Sequence, residues 1–284
     1  RSFHVTGVQT CALPISDVVV AADGIRSSIR ESLFNPAPPV FAGFVAWRGL
    51  VDTSLLPKHL CESAVAFGQG RHINRYLVRR GELLNFIAVA HRDKWEAEGW
   101  NIPAPLDELM AEFSSFDEGT RTIISKPALG QVFKWGLFGR PWLEQWSAGR
   151  VVLLGDAAHP MWPIGSNGAS QAILDTEALA QQLVEHQWGG QQSLVPEQGL
   201  PQALLNYEAL RRPATAAVVL ANRRGGPDQV LQLAEERAPD GFDDIEQVIP
   251  LVEREAIAAR YKQTAGFDKS RVNQQAQSQQ QQQQ

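Results

Sequence analysis

Two short stretches each place an acid beside a glycine at the end of an apolar run. The first is "DVVVAADG", ending in Asp23 and Gly24; the second is "VVLLGDAAHPMWPIGSNGAS", which carries Gly155 and Asp156. An aspartate that closes a buried strand sits at the carboxyl edge of a sheet, where α/β folds bind ligands. Its two oxygens can accept hydrogen bonds from the hydroxyls of a sugar-like chain. After the second acid come Gly165, Gly168, Ala169 and Ser170, small residues that let a flat or anionic group approach the backbone. The helical pattern "QAILDTEALAQQLVEH" follows at once. Its first turn offers unpaired N–H groups and the positive end of the helix dipole to negative charge. Such a stretch could hold a polyol on Asp156 and an electron-rich ring edge on the amides of Gly168, Ala169 and Ser170. Taken singly each signal is weak, because a Gly-Asp pair after a strand often does no more than shape a turn.

These residues need elements to position them. "DVVVAADG" reads as a short strand buried on both faces. "IRSSIRESLF" reads as a short helix with Arg26 and Arg30 four apart on one face. From Val40 to about His91 the texture changes: "VFAGFVAWRGLV", "SAVAFGQG", "HINRYLVRRG" and "ELLNFIAVAH" are strand-like and separated by glycines. Consecutive strands without helices between them predict an antiparallel sheet. "PLDELMAEFSSF" predicts a helix with Leu106, Leu109, Met110 and Phe113 on one stripe, and "QVFKWGLFGR" returns to strand. "LPQALLNYEALRRPATAAVVLANRRGG" reads as a long helix that Pro213 should kink or divide and that Gly225 and Gly226 end. "PDQVLQLAEERA" and "IEQVIPLVEREAIAARYKQTAG" predict further amphipathic helices.

Composition narrows the function classes. The 284 residues are 44% hydrophobic and carry a net charge of −5, enough for a sizeable core and without the basic surface that nucleic acid requires. The longest apolar runs fall short of a membrane span, and no secretory h-region opens the chain, so a cytoplasmic protein without membrane partners is expected. Two cysteines, Cys11 and Cys61, make no disulfide framework, and no metal-ligand spacing is present, so no metal is expected. Cys61 reads as a small buried hydrophobe. His159 reads as a structural loop histidine, since the motif places no Ser, Cys or carboxylate partner beside it.

Together the pair "DVVVAADGIRSSIR" and "GRVVLLGDAAHPMWPIGSNGASQAILD" resembles the FAD-dependent aromatic-ring hydroxylases, the single-component flavoprotein monooxygenases of the salicylate and para-hydroxybenzoate hydroxylase type. "GSNGASQAILD" is most similar to the branch that holds the phenazine-modifying flavin monooxygenase. The resemblance runs from about Asp17 to Asp268. It implies an α/β fold: the C-terminal part of a Rossmann-like FAD-binding fold, with an inserted α+β antiparallel substrate sheet and C-terminal helices. The implied division is 17–39 and 141–190 as segments of the FAD-binding domain, 40–140 as the substrate-binding sheet domain and 191–268 as the C-terminal helices. It also implies FAD as cofactor, NADPH or NADH as reductant, and hydroxylation of a small aromatic substrate with O2.

By position, the resemblance assigns Asp23, Gly24 and Arg30 to the motif that contacts FAD, with Arg26 placed to meet a cofactor phosphate. Gly155 and Asp156 would hold ribityl or ribose hydroxyls. Pro163 would lie against the ring system, and Gly165, Gly168, Ala169 and Ser170 would meet its edge. Trp47, Arg48, His72, Tyr76, Arg79 and Trp162 are the candidate substrate residues. No general base is identified, and the oligomeric state is open.

The two ends differ from the middle. "VTGVQTCALPI" resembles the in-frame translation of a sequencing-adapter oligonucleotide, which would make residues 1–16 and Cys11 foreign to the protein. Residues 269–284, Gln-rich and nearly without apolar side chains, predict a disordered tail. The family's Gly-x-Gly-x-x-Gly turn, which grips the FAD pyrophosphate, has no counterpart before Asp23. The chain is therefore expected to be the C-terminal part of a longer reading frame and to hold FAD poorly alone. Another flavin chemistry on the same scaffold, a halogenase or a reductase, and a non-catalytic truncated chain are the alternatives.

Overall fold

A computed structural model describes residues 16–68, 70–95, 99, 101–186 and 199–266. The adapter-like stretch with Cys11, up to residue 15, and the Gln-rich tail lie outside the described residues. In chain order the elements are β1 (Val19–Ala21), α1 (Ser28–Leu33), β2 (Val40–Asp52), β3 (Ala64–Gly68), β4 (Arg71–Val78), β5 (Leu83–His91) and β6 (Ile102–Ala104). Then follow α2 (Leu106–Glu112), α3 (Glu118–Ile124), β7 (Val132–Gly139), β8 (Ser147–Ala148), β9 (Val151–Leu153), α4 (Gly168–Glu185) and α5 (Gly199–Arg223). The last are α6 (Gln229–Arg237), α7 (Ile245–Val248) and α8 (Leu251–Ala265). The chain divides into two compact units, residues 39–139 and the residues on either side of them.

The inserted unit is an antiparallel six-stranded sheet in the order β3-β4-β5-β2-β7-β6. One face packs on α2 and α3 through Val45, Trp47, Val51, Ile73, Leu84, Phe86, Leu109, Phe113 and Ile123. Leu109 and Phe113, two of the four stripe residues expected on α2, are buried in this core, and Leu106 and Met110 pack at its edge. Gly49 is required here: a Cβ on it would come within 2.5 Å of the Phe86 ring across the β2–β5 pair. Helix α3 was not expected from the sequence. Its signal is Asp117, whose carboxylate caps the Thr120 amide at 2.9 Å.

The outer unit is built on a three-stranded sheet, β1-β9-β8. β1 runs parallel to β9 in the register Val19↔Val151, Val20↔Val152, Ala21↔Leu153. β8 and β9 form a tight hairpin. β1 is not buried on both faces as expected: Val19 and Val20, which point to opposite faces, are 38% and 40% exposed. Ala21, Trp146, Val152, Leu153, Leu179, Leu204 and Tyr207 make its core.

Pro213 neither divides nor ends α5, which runs unbroken through it. The buried residues Leu200, Ala203, Leu204, Tyr207, Thr215, Val218 and Asn222 recur on one stripe before and after the proline. Packing of that stripe outweighs a local penalty of roughly 3 kcal/mol. The last predicted helix is split instead at Pro250, into α7 and α8. Among the described residues no helix is long and apolar enough to cross a membrane, and no cluster of His, Cys, Asp or Glu could hold a metal ion.

Candidate functional site

The parallel pairing of β1 with β9 carries both acid motifs off the same sheet edge. Ala21 is opposite Leu153, so Ala22–Gly24 and Leu154–Asp156 leave two neighbouring strands side by side. Between them and the start of α4 lies a cavity of about 560 Å³ lined by Ala22, Gly24, Gly155, Asp156, Met161, Trp162, Pro163, Gly168, Ala169 and Ala172, among others. The lining is mostly small side chains. A Cβ added to Gly24 would meet nothing within 4 Å, and one on Gly168 would lie 3.9 Å from Asp156 Oδ1.

Asp156 is exposed to this cavity. Loss of solvation from the surrounding protein raises its carboxyl pKa, and the nearby His159 works in the opposite direction. α4 opens without a side-chain cap. Asn167, at the capping position, donates its amide to the Tyr261 hydroxyl instead. The first N–H groups of α4 therefore stay available beside Asp156.

Of the eleven sequence-predicted cofactor residues, the cavity gathers Gly24, Gly155, Asp156, Pro163, Gly168 and Ala169; Asp23, Arg26, Arg30, Gly165 and Ser170 are not among its lining residues. Asp23 accepts from the Ser28 amide at 3.1 Å. Arg26 is exposed and precedes α1, while Arg30 lies within it and is 1% exposed, so the two do not share a helix face as expected. Arg30 donates to the carbonyls of Ala157 at 2.9 Å, Ala158 at 3.0 Å and Pro141 at 2.5 Å. Burial, then the neighbouring Arg140, lowers its pKa to about 10, which leaves it charged at neutral pH. Arg140 is buried too and donates to Ile25 O and Ala37 O, with an ion pair to Glu31. Gly165 has φ +75, and a Cβ there would fall 1.9 Å from the Tyr261 hydroxyl, so its missing side chain makes room for α8.

His159 does have a carboxylate partner, contrary to expectation. Its Nε2 lies 2.5 Å from Asp175 Oδ2, and the partner comes from the middle of α4, sixteen residues on. The Asp175 side chain is fully buried and also pairs with Arg211 at 2.7 Å. Burial alone would raise this carboxyl, but His159 and Arg211 outweigh it and hold the pKa below the usual carboxylate range. His159 itself is packed against Trp146.

In the inserted unit the strand period sorts the substrate candidates. Arg48 is opposite Ile87, which is opposite Asn74; Tyr76 and Leu50 are both opposite Asn85; His72 is opposite Val89. Arg48, His72 and Tyr76 therefore share the sheet face that turns away from α2 and α3. Arg48 Nε donates to Asn85 Oδ1 at 2.8 Å, which fixes the guanidinium. Burial lowers the His72 pKa and favours the neutral ring. Trp47 faces the other way, into the core: it is 1% exposed, meets Phe113 edge-on at 6.0 Å and lies under the Arg92 guanidinium at 5.7 Å. Arg79 sits in the turn after β4 with φ 49, off the strand face. Trp162 belongs to the cavity of the outer unit. Cys61 is half-buried, not fully buried, with its thiol 3.6 Å from the Thr53 and Pro57 carbonyls.

Comparison with known proteins relates this fold and cavity to flavin-dependent aromatic hydroxylases. Residues 115–222 match the FAD binding domain family. The chain is 36% identical over 230 residues to the 3-amino-4-hydroxybenzoate 2-monooxygenase of Streptomyces cremeus, covering 80% of this chain and 52% of that protein. It is 34% identical over 176 residues to the 6-hydroxynicotinate 3-monooxygenase of Pseudomonas fluorescens, covering 60% and 45%. A salicylate hydroxylase solved with its substrate superimposes with a TM-score of 0.68 at 28% identity, over 88% of this chain and 64% of that one. The chain is thus a homologue of the FAD-dependent aromatic-ring monooxygenases. It spans about half the length of the curated relatives it matches.

Proposed function

We propose that the protein works as an FAD-dependent monooxygenase that hydroxylates a small aromatic acid with NADPH or NADH and O2, in the cytoplasm. One observation carries the reading: two acid-glycine motifs, far apart in sequence, open from paired parallel strands into a single cavity floored by an uncapped helix. The residues fit the cofactor. Asp156 would accept hydrogen bonds from ribityl hydroxyls, and the amides of Gly168, Ala169 and Ser170 would face the ring edge that becomes negative on reduction. Pro163 and Trp162 would form a wall for the ring system, Gly24 leaves open space, Asp23 and Arg26 would serve the opposite side, and Arg30 would act only through the backbone that it holds. When bound, FAD supplies reduction by the nicotinamide and activation of O2; the chain supplies position and polarity.

On the inserted sheet, Arg48 is the proposed anchor of a substrate carboxylate. Asn85 holds its Nε, and the two terminal nitrogens would pair with the carboxylate. His72, favoured as the neutral ring, and Tyr76 flank it on the same face and can accept or relay a phenolic proton.

The test is a titration with FAD followed by flavin fluorescence, then NADPH and NADH oxidation with hydroxybenzoates and hydroxynicotinates under isotopically labelled O2. A response of flavin fluorescence to FAD, even if weak for the chain alone, and label in the aromatic product are expected. No response to FAD, either from the chain alone or from the chain extended at its N-terminus by the preceding half of the Streptomyces cremeus relative, overturns the cofactor reading. Nicotinamide oxidation that leaves every aromatic unlabelled overturns hydroxylation and favours a flavin reductase.

A further inference from the structure

The buried face of α4 is polar where a packing helix is normally apolar. Gln171, Asp175 and Gln182 point inward with Leu179, while Ile173 and Val184 on the same helix are 69% and 73% exposed. A buried charge is costly unless it is paired, so Asp175 needs a reason to be there. Its contacts supply one. Oδ2 accepts from the backbone amide of Gly155 at 3.2 Å and from His159 at 2.5 Å, while Oδ1 accepts from Arg211 at 2.7 Å. Arg211 is held in turn by Gln171 Oε1 at 2.6 Å. The carboxylate therefore grips the Gly155–His159 turn, which carries Asp156, at both ends. Gly155 has φ +61, a backbone state with little intrinsic preference for this one geometry.

We infer that Asp175 is the positioning residue of the cavity: it sets the turn that aims the Asp156 carboxylate, and so governs how well that carboxylate meets a hydroxylated cofactor chain. The inference rests on the FAD reading for the ligand but not for the turn itself. It assigns Arg211 the role of fixing and neutralising Asp175, and His159 the role of a second tether.

Hydrogen exchange and FAD titration on Asp175→Asn, Asp156→Ala and the double variant test it. Asp175→Asn should speed exchange in residues 151–160 while the C-terminal half of α4 keeps its protection. It should weaken FAD about fivefold or more when Asp156 is present and less than about twofold in the Asp156→Ala background, since residues acting through one another are not additive. Unchanged exchange in the turn, or the same loss of affinity in both backgrounds, overturns the positioning role. If Asp156→Ala leaves FAD affinity intact, the cofactor assignment of Asp156 fails, and turn exchange still decides for or against Asp175. Should Asp175→Asn not fold, Arg211→Gln keeps the carboxylate but removes its anchor. It should move exchange in the same direction by a smaller factor, and no change there overturns the inference.

Discussion

Arg30 on α1 donates to the carbonyls of Ala157 and Ala158, 127 and 128 residues further along the chain, at 2.9 and 3.0 Å. One guanidinium thereby ties the helix that follows Asp23 and Gly24 to the turn that carries Gly155 and Asp156. The two motifs are locked together from behind the cavity, with no part of Arg30 lining it. A residue assigned to the motif for contact with FAD does its visible work through the backbone.

Arg30→Met should accordingly destabilise the protein by on the order of 3 kcal/mol, because it leaves three carbonyls without their charged donor. Urea unfolding of wild type and variant measures this. A loss under about 1 kcal/mol would mean that water replaces the guanidinium at little cost.

Asp156 predicts a pH dependence of the ligand-free protein. Its folded pKa is raised, so the folded state holds a proton that the unfolded chain releases between the ordinary and the raised value. The penalty is absent below the ordinary carboxylate pKa and complete above the raised one. Asp156→Asn should be the more stable protein at pH 7 and equal to wild type near the acid limit. The carboxylate is exposed, so the gain should stay within about 0.5 kcal/mol. Equal urea midpoints at pH 7, or a gain that grows toward acid, contradict the assignment. Asp175 has the opposite sign: its pKa is lowered, so its contribution is present above the ordinary carboxylate value and is lost only as pH falls through the folded one.

Gly165→Ala should cost more than about 1 kcal/mol, since φ is +75 and the new methyl would collide with the Tyr261 phenol. On a Tyr261→Ala background the same change should cost less, leaving only the backbone strain. Thermal melts of the four proteins give the coupling. Full additivity would mean that α8 does not press on this loop.

The β2 neighbours Trp47 and Arg48 should separate stability from recognition. Trp47→Ala removes a core side chain and should cost about 3–5 kcal/mol. Arg48→Gln should change stability by no more than about 0.5 kcal/mol. If the carboxylate anchor is right, it should weaken hydroxybenzoate binding by roughly tenfold or more, through loss of a charged hydrogen bond. Isothermal titration beside urea melts reads both, and an Arg48→Gln protein that binds hydroxybenzoate as wild type does removes Arg48 from the site.

Much of the framework was legible as local pattern. Five of the six strands of the inserted sheet, their antiparallel pairing, the two acid-glycine turns and the helix that opens within "GSNGAS" follow from apolar runs, glycines and period, because those signals are local in the chain; β6, only three residues long, carries no such signal. Strand alternation even contained the division between Trp47 and Arg48, since adjacent strand residues must face opposite ways, but which face meets the helices depends on α2 and α3 and cannot be read from β2. Pro213 shows the same limit: its local preference is real, but a stripe of tertiary contacts along α5 keeps the helix from dividing there. The roles of the cavity's supports were not legible, even for Arg30, which the motif already named. Arg30, Asp175, Arg211 and Tyr261 act on backbone atoms and side chains that only folding brings within 3.5 Å. No residue spacing announces that a polar stripe on α4 turns inward while Ile173 and Val184 turn out. Hydrogen bonds to a distant turn reverse the helix's apparent amphipathic sense there, and a partner from another element is what makes a buried carboxylate tolerable.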